Sequence, residues 1–107
     1  MNTEFSKIFD TIYQANDADL QHQFFRAASN YARTRAEWYF LSPSERAETN
    51  DRRTALHNTC IDACNILSRS MAQAKEGNAW RAELGEDRKV IGDFACYVAY
   101  RLGVMMR

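Results

Sequence analysis

A chain of 107 residues that is 46% apolar and carries six Phe, five Tyr and two Trp has the size and apolar stock of one domain around one core, which argues against disorder. Four Gly and a single Pro are too few for many short strands joined by tight turns, so an all-β or doubly wound fold is disfavoured. Fourteen basic and fourteen acidic side chains cancel, and no basic patch lacks interleaved acids, which leaves no electrostatic footprint for nucleic acid and little self-repulsion between copies.

The stretch from Met1 to Asp10 includes Glu4, Lys7 and Asp10 and does not read as a secretory leader. No apolar run reaches the roughly 20 residues of a membrane span. Three cysteines, an odd number spaced along helices, do not form a disulfide framework, so no membrane association and a reducing cytoplasm are expected.

In chain order, Asn2 or Thr3 can cap a first helix over 3–14, whose Phe5, Ile8, Ile12 and Ala15 recur at steps of three and four. A second helix over 17–41 carries Leu20, Phe24, Ala27, Tyr31, Thr34, Trp38 and Leu41 on a heptad seam, with Gln23, Arg26, Asn30, Arg33 and Glu37 on its wet side. Ser42, Pro43 and Glu45 then spell a capping box with proline at the first helical position. The helix they open extends over 43–76 to a stop at Gly77 and Asn78, with Arg53, His57, Cys60, Cys64, Leu67, Met71 and Ala74 on its inner line. Such a helix is about 50 Å long at ~1.5 Å per residue, against a radius of gyration of about 13 Å for a compact domain. Either the polar stretch Glu45 to Arg53 breaks, or the molecule is elongated and a second copy covers its length.

Trp80 and Leu84 are one turn apart and mark a connector turn before the last helix, over 87–106. That helix is apolar nearly all round: Ile91, Phe94, Val98, Leu102 and Met105 on one side, Tyr97, Tyr100 and Val104 on another. A helix of this kind is normally central. Its stripe of small residues, Gly92, Cys96, Ala99 and Gly103, lets another helix approach closely and is the expected interface. The fold expected is an all-α antiparallel bundle of about four helices in one domain, 1–107, completed by homodimerisation.

Three groups of side chains bear on chemistry. His57, Cys60 and Cys64 share a helical face and are candidate ligands for Zn or Cu(I). Their spacing is loosely similar to that of small helical copper-sensing repressors, which place a His and a Cys one turn apart; the resemblance implies a metal or thiol sensor, though the His-to-Cys steps here are three and seven. The seam favours the simpler expectation that Cys60 and Cys64 pack as small apolar residues and that no cofactor is bound. Arg35, with Tyr31 and Trp38, is a candidate site for a small anion or metabolite. Arg35, Arg53 and Arg101 lie at or near apolar faces, where each needs a carboxylate, and Asp10, Glu37, Asp62 and Asp93 are available. A helix-turn-helix over 3–30 would open its recognition helix with Asp17 and Asp19 against DNA phosphates. No Gly-rich phosphate loop, zinc-protease helix, serine elbow or paired-cysteine motif occurs. The expected role is therefore a small interaction or regulatory protein without catalysis.

Overall fold

The computed structural model describes residues 3–105, which are all-helical, in five helices: α1 Thr3–Tyr13, α2 Ala18–Trp38, α3 Pro43–Gln73, α4 Ala79–Leu84 and α5 Arg88–Met105. The count exceeds the expected four because the connector around Trp80 closes into a helix of its own. Asn2 and Met106, the outer limits of two expectations, lie outside the described residues.

Local chemistry sets the ends of each helix. Asp17 caps α2 by accepting from the Leu20 amide, and Gln21, buried on the next turn, donates to the Ile12 and Tyr13 carbonyls that α1 leaves open. At the other end of α2 the amides of Phe40 and Leu41 fold back on Glu37 and Trp38. Pro43 disfavours a helical Ser42, so α2 stops short of 41. Ser42 and Glu45 form the full capping box of α3. One turn in, Arg46 reaches back to the Trp38 and Tyr39 carbonyls, so that one side chain closes the hairpin from the far side.

α3 stays continuous through the polar stretch and ends three residues earlier than Gly77 suggests. The Glu76 amide bonds the Met71 carbonyl and the Lys75 amide that of Ala72, the pattern of a Schellman motif, with Lys75 in the left-handed position at φ 58°. The Glu76 carboxylate meanwhile accepts from the Asn16 amide and ties this end to the α1–α2 turn.

The molecule measures 47 × 28 × 23 Å, and its long dimension is that of the 31-residue α3. α2 lies between α3 and α5. Ile8, Phe9 and Ile12 of α1, Phe24, Phe25, Ala28 and Tyr31 of α2, Cys60, Cys64, Leu67 and Met71 of α3, Trp80 and Leu84 of α4, and Ile91, Phe94, Ala95 and Val98 of α5 form one core. Its centre is aromatic: Phe94 meets Phe5 edge-on at 5.3 Å and stacks with Phe24 at 6.2 Å, and Phe9 meets Phe25 edge-on at 5.7 Å. Arg101 clamps α5 to α1 by bonding Asp10 and Ser6 while lying 4.6 Å over the Phe9 ring.

Two expectations about cover change. α5 is not enclosed on all sides, because Tyr100, Val104 and Met105 are exposed. α3 buries nothing between Pro43 and Thr59, since α5 begins only beside His57, whose imidazole meets the Arg88 carbonyl. Beyond that point α2 and α3 continue as a two-helix arm with no third helix of the described residues on it.

Candidate functional site

A recess opens where the arm leaves the body. A cleft of about 640 Å³ runs between the C-terminal turns of α2 and the first half of α5, lined by Ala32, Arg35, Ala36, Tyr39, Phe40, Asp93 and Cys96. Its floor is small because alanines recur on one side of α2. Its rim is aromatic, and Phe40 is 90% and Tyr39 69% exposed.

Arg35 and Asp93 form the polar element of this cleft, with Nη2 donating to Oδ1 at 2.8 Å. A second guanidinium nitrogen approaches the Cys96 sulfur at 3.8 Å. Burial works against the charge of Arg35, but the hydrogen bond to Asp93, helped by Cys96 and Tyr31, outweighs it and holds the guanidinium firmly charged. Gly92 makes the arrangement possible: a Cβ there would stand 3.0 Å from the Tyr31 hydroxyl and 3.3 Å from Arg35 Nη1.

Of the residues singled out as a ligand site, Arg35 and Tyr31 thus meet at Gly92, and only Arg35 lines the cleft. Trp38 turns toward α3, where Arg53 lies 4.9 Å and Arg46 5.8 Å over its ring. Asp93, Tyr39 and Phe40 complete the cleft. Asp93 was legible as one of the carboxylates available to a half-buried arginine, whereas the two aromatics stand off the seam, in the turn.

His57, Cys60 and Cys64 do share the inner face of α3, in different surroundings. His57 stacks on Tyr31 at 4.5 Å and is half-buried. Since the Arg88 carbonyl can only accept, Nε2 carries the proton of that 3.0 Å bond. Burial pushes the Cys60 thiol up to about 12 and the Cys64 thiol up to about 11, so both are protonated at neutral pH. Burial also raises Cys96, against the pull of Arg35. All three cysteines are free, and the described residues contain no group of three or more His, Cys, Asp or Glu side chains placed to hold a metal ion.

The small-residue stripe divides along its length. Gly92 is buried against Tyr31, Cys96 and Ala99 are half-buried, and at Gly103, which is exposed, an added Cβ would meet nothing within 4 Å. No described helix is long and apolar enough to cross a membrane.

No family model, curated protein or solved structure matches this chain. The geometry of its own residues carries the functional reading.

Burial lowers the basicity of His57, and the charges of Arg88, Arg53 and Arg35 lower it further, against the bond to the Arg88 carbonyl. The unfolded chain therefore takes up its proton first as pH falls through the ordinary histidine value of about 6.5. Stability from neutral His57 is complete above that value and is lost below it. Thermal melts between about pH 7.5 and about pH 5.5 should show a larger fall in Tm for the native sequence than for His57→Gln; equal falls would mean that His57 titrates as in the unfolded chain.

Proposed function

We propose that this chain is a non-catalytic interaction protein of the reducing cytoplasm that works as a homodimer, its α2–α5 cleft and α2–α3 arm docking onto the same surfaces of a second copy. The observation that carries this reading is the pairing of an almost fully exposed Phe40 with a recess at its side that is floored by Ala32 and Ala36 and holds the Arg35–Asp93 pair. An isologous contact presents one patch on both subunits, so a rim aromatic beside a small-residue recess can be self-complementary. Each Phe removed from water contributes roughly 1.5–3 kcal/mol. Zero net charge puts no long-range repulsion in the way.

The arm adds a second reason. From Pro43 to Thr59 α3 has no buried residue, even where Arg53 and His57 rest on Trp38 and Tyr31 of α2, so a partner laid along the arm adds cover that the chain itself does not supply. The absence of catalysis rests on the protonated state of the two buried thiols and the engaged Nε2 of His57.

Sedimentation at tens of micromolar is expected to give a dimer, and Phe40→Asp a monomer with an unchanged helical spectrum, because the Phe40 side chain lies outside the core. A native sequence that sediments as a monomer throughout that range, or a Phe40→Asp variant that stays dimeric, removes this reading.

A further inference from the structure

The notch where α5 begins against the arm gathers Arg53, His57, Arg88 and Arg35; of the acids there, Asp87 accepts from the Lys89 amide and Asp93 from Arg35. Arg53 of α3 lies over Trp38, makes no hydrogen bond or ion pair with another described residue, and keeps a buried Nε with no acceptor. One turn on, His57 is stacked against Tyr31 and joined to the first residue of α5 through the Arg88 carbonyl. Among the described residues the Arg88 guanidinium bonds only the neutral amide of Asn58. Arg35 and Tyr31 both border Gly92, and of the three arginines Arg35 has a carboxylate among the described residues, Asp93.

An N–H buried without an acceptor is costly, and cost rises when the group is charged. Arg53 and Arg88 have no carboxylate partner among the described residues, and the charges of Arg88, Arg53 and Arg35 bear on the imidazole. The planar fork of arginine matches tetrahedral oxyanions in particular.

From this juxtaposition we infer that the notch formed by Arg53, His57 and Arg88, with Arg35 behind, binds a small oxyanion of the phosphate class. The anion's oxygens accept from the outer guanidinium nitrogens of Arg53 and Arg88 and offset the charges crowding His57. Arg35 also lines the cleft, whereas Arg53, His57 and Arg88 do not.

Sulfate is the probe, because it is a tetrahedral dianion whose charge is constant over the histidine range. The two histidines are followed by NMR through a pH titration of the full chain, in sulfate and in chloride at equal ionic strength. The expected result is an upward displacement of the His57 titration in sulfate with no comparable displacement of His22, which is exposed on α2. Arg53→Gln should abolish the sulfate-dependent displacement while keeping the helical spectrum, and Arg53→Lys, which keeps the charge without the fork, should retain a reduced one. Arg88→Gln, at an exposed position, gives a second variant in which the displacement shrinks even if Arg53→Gln fails to fold. Superimposable sulfate and chloride titrations, equal displacement of both histidines, or a displacement untouched by Arg53→Gln and Arg88→Gln overturns the inference.

Discussion

Phe94→Ala should cost about 3–5 kcal/mol, a large part of the roughly 5–15 kcal/mol that holds a small domain together. Phe94 is fully buried at the point where α1, α2 and α5 converge. Its ring meets Phe5 of α1 at 5.3 Å, Phe24 of α2 at 6.2 Å and Tyr97 of its own helix at 6.5 Å. Truncation removes the apolar area of the ring and leaves a void walled by three other rings. Those walls are poor at closing: Phe24 is pinned against Phe25, and Tyr97 is held by the hydrogen bond from Arg101. The transfer loss is thus joined by a cavity loss that relaxation does little to recover. Urea unfolding is the check, with Phe94→Leu recovering part of the loss and the denaturant slope unchanged. A cost under about 1 kcal/mol would mean that the three helices do not share this contact.

Position along the seam and depth in the core are different quantities, and sequence periodicity reports only the first. The α2 seam named Phe24, Ala27 and Tyr31, which are buried, along with Thr34, Trp38 and Leu41, which are only half-buried. The α3 seam likewise named Cys60, Cys64, Leu67 and Met71, which are buried, and Arg53 and His57, which are half-buried. In both helices most of the failures lie at the arm end, because α5 starts beside His57 and covers nothing beyond it, while Leu20, half-buried, and Ala74, exposed, fail at the opposite ends of their seams. A heptad shows which side faces a neighbour, not where the neighbour ends.

The caps were legible because they are local: Ser42, Pro43 and Glu45 act within four residues. The end of α3 was less so, since Lys75 takes a left-handed conformation usually given to glycine. Gln21 reads as one more polar residue of α2, and its role depends on where α1 happens to end. At the cleft, grouping Tyr31, Arg35 and Trp38 joined neighbours along one helix that serve two faces. Tyr31 and Trp38 lie on the line toward α3, while the cleft lies along Ala32, Arg35, Ala36 and Tyr39. The need of Arg35 for a carboxylate was readable from charge alone, and so was that of Arg101; Asp93 and Asp10 supply them. Arg53 broke that rule, which is why the notch beside it calls for an acceptor from outside the chain.

Gly92→Leu is the other substitution expected to act strongly, at about 1–3 kcal/mol or somewhat more, through overpacking rather than loss. Glycine inside a helix ordinarily costs up to about 1 kcal/mol relative to alanine, so its presence in the middle of α5 needs a steric reason. A Cβ at this position would stand 3.0 Å from the Tyr31 hydroxyl, 3.2 Å from its ring and 3.3 Å from Arg35 Nη1. Neither side chain is free to yield. Tyr31 is 3% exposed and stacked on His57, and Arg35 is fixed by Asp93. Gly92→Ala should therefore gain little or nothing from its better helix propensity, while Gly92→Leu separates α5 from α2. Gly103, on the same helix with open space around it, is the internal control: Gly103→Ala should be neutral or stabilising by up to about 1 kcal/mol. Combining Gly92→Ala with Tyr31→Phe removes the nearest atom of the clash, so the two substitutions should couple favourably by at least about 0.5 kcal/mol. Additive effects in that cycle, or a Gly92→Leu variant as stable as the native sequence, would show that the α2–α5 contact has room which this packing denies.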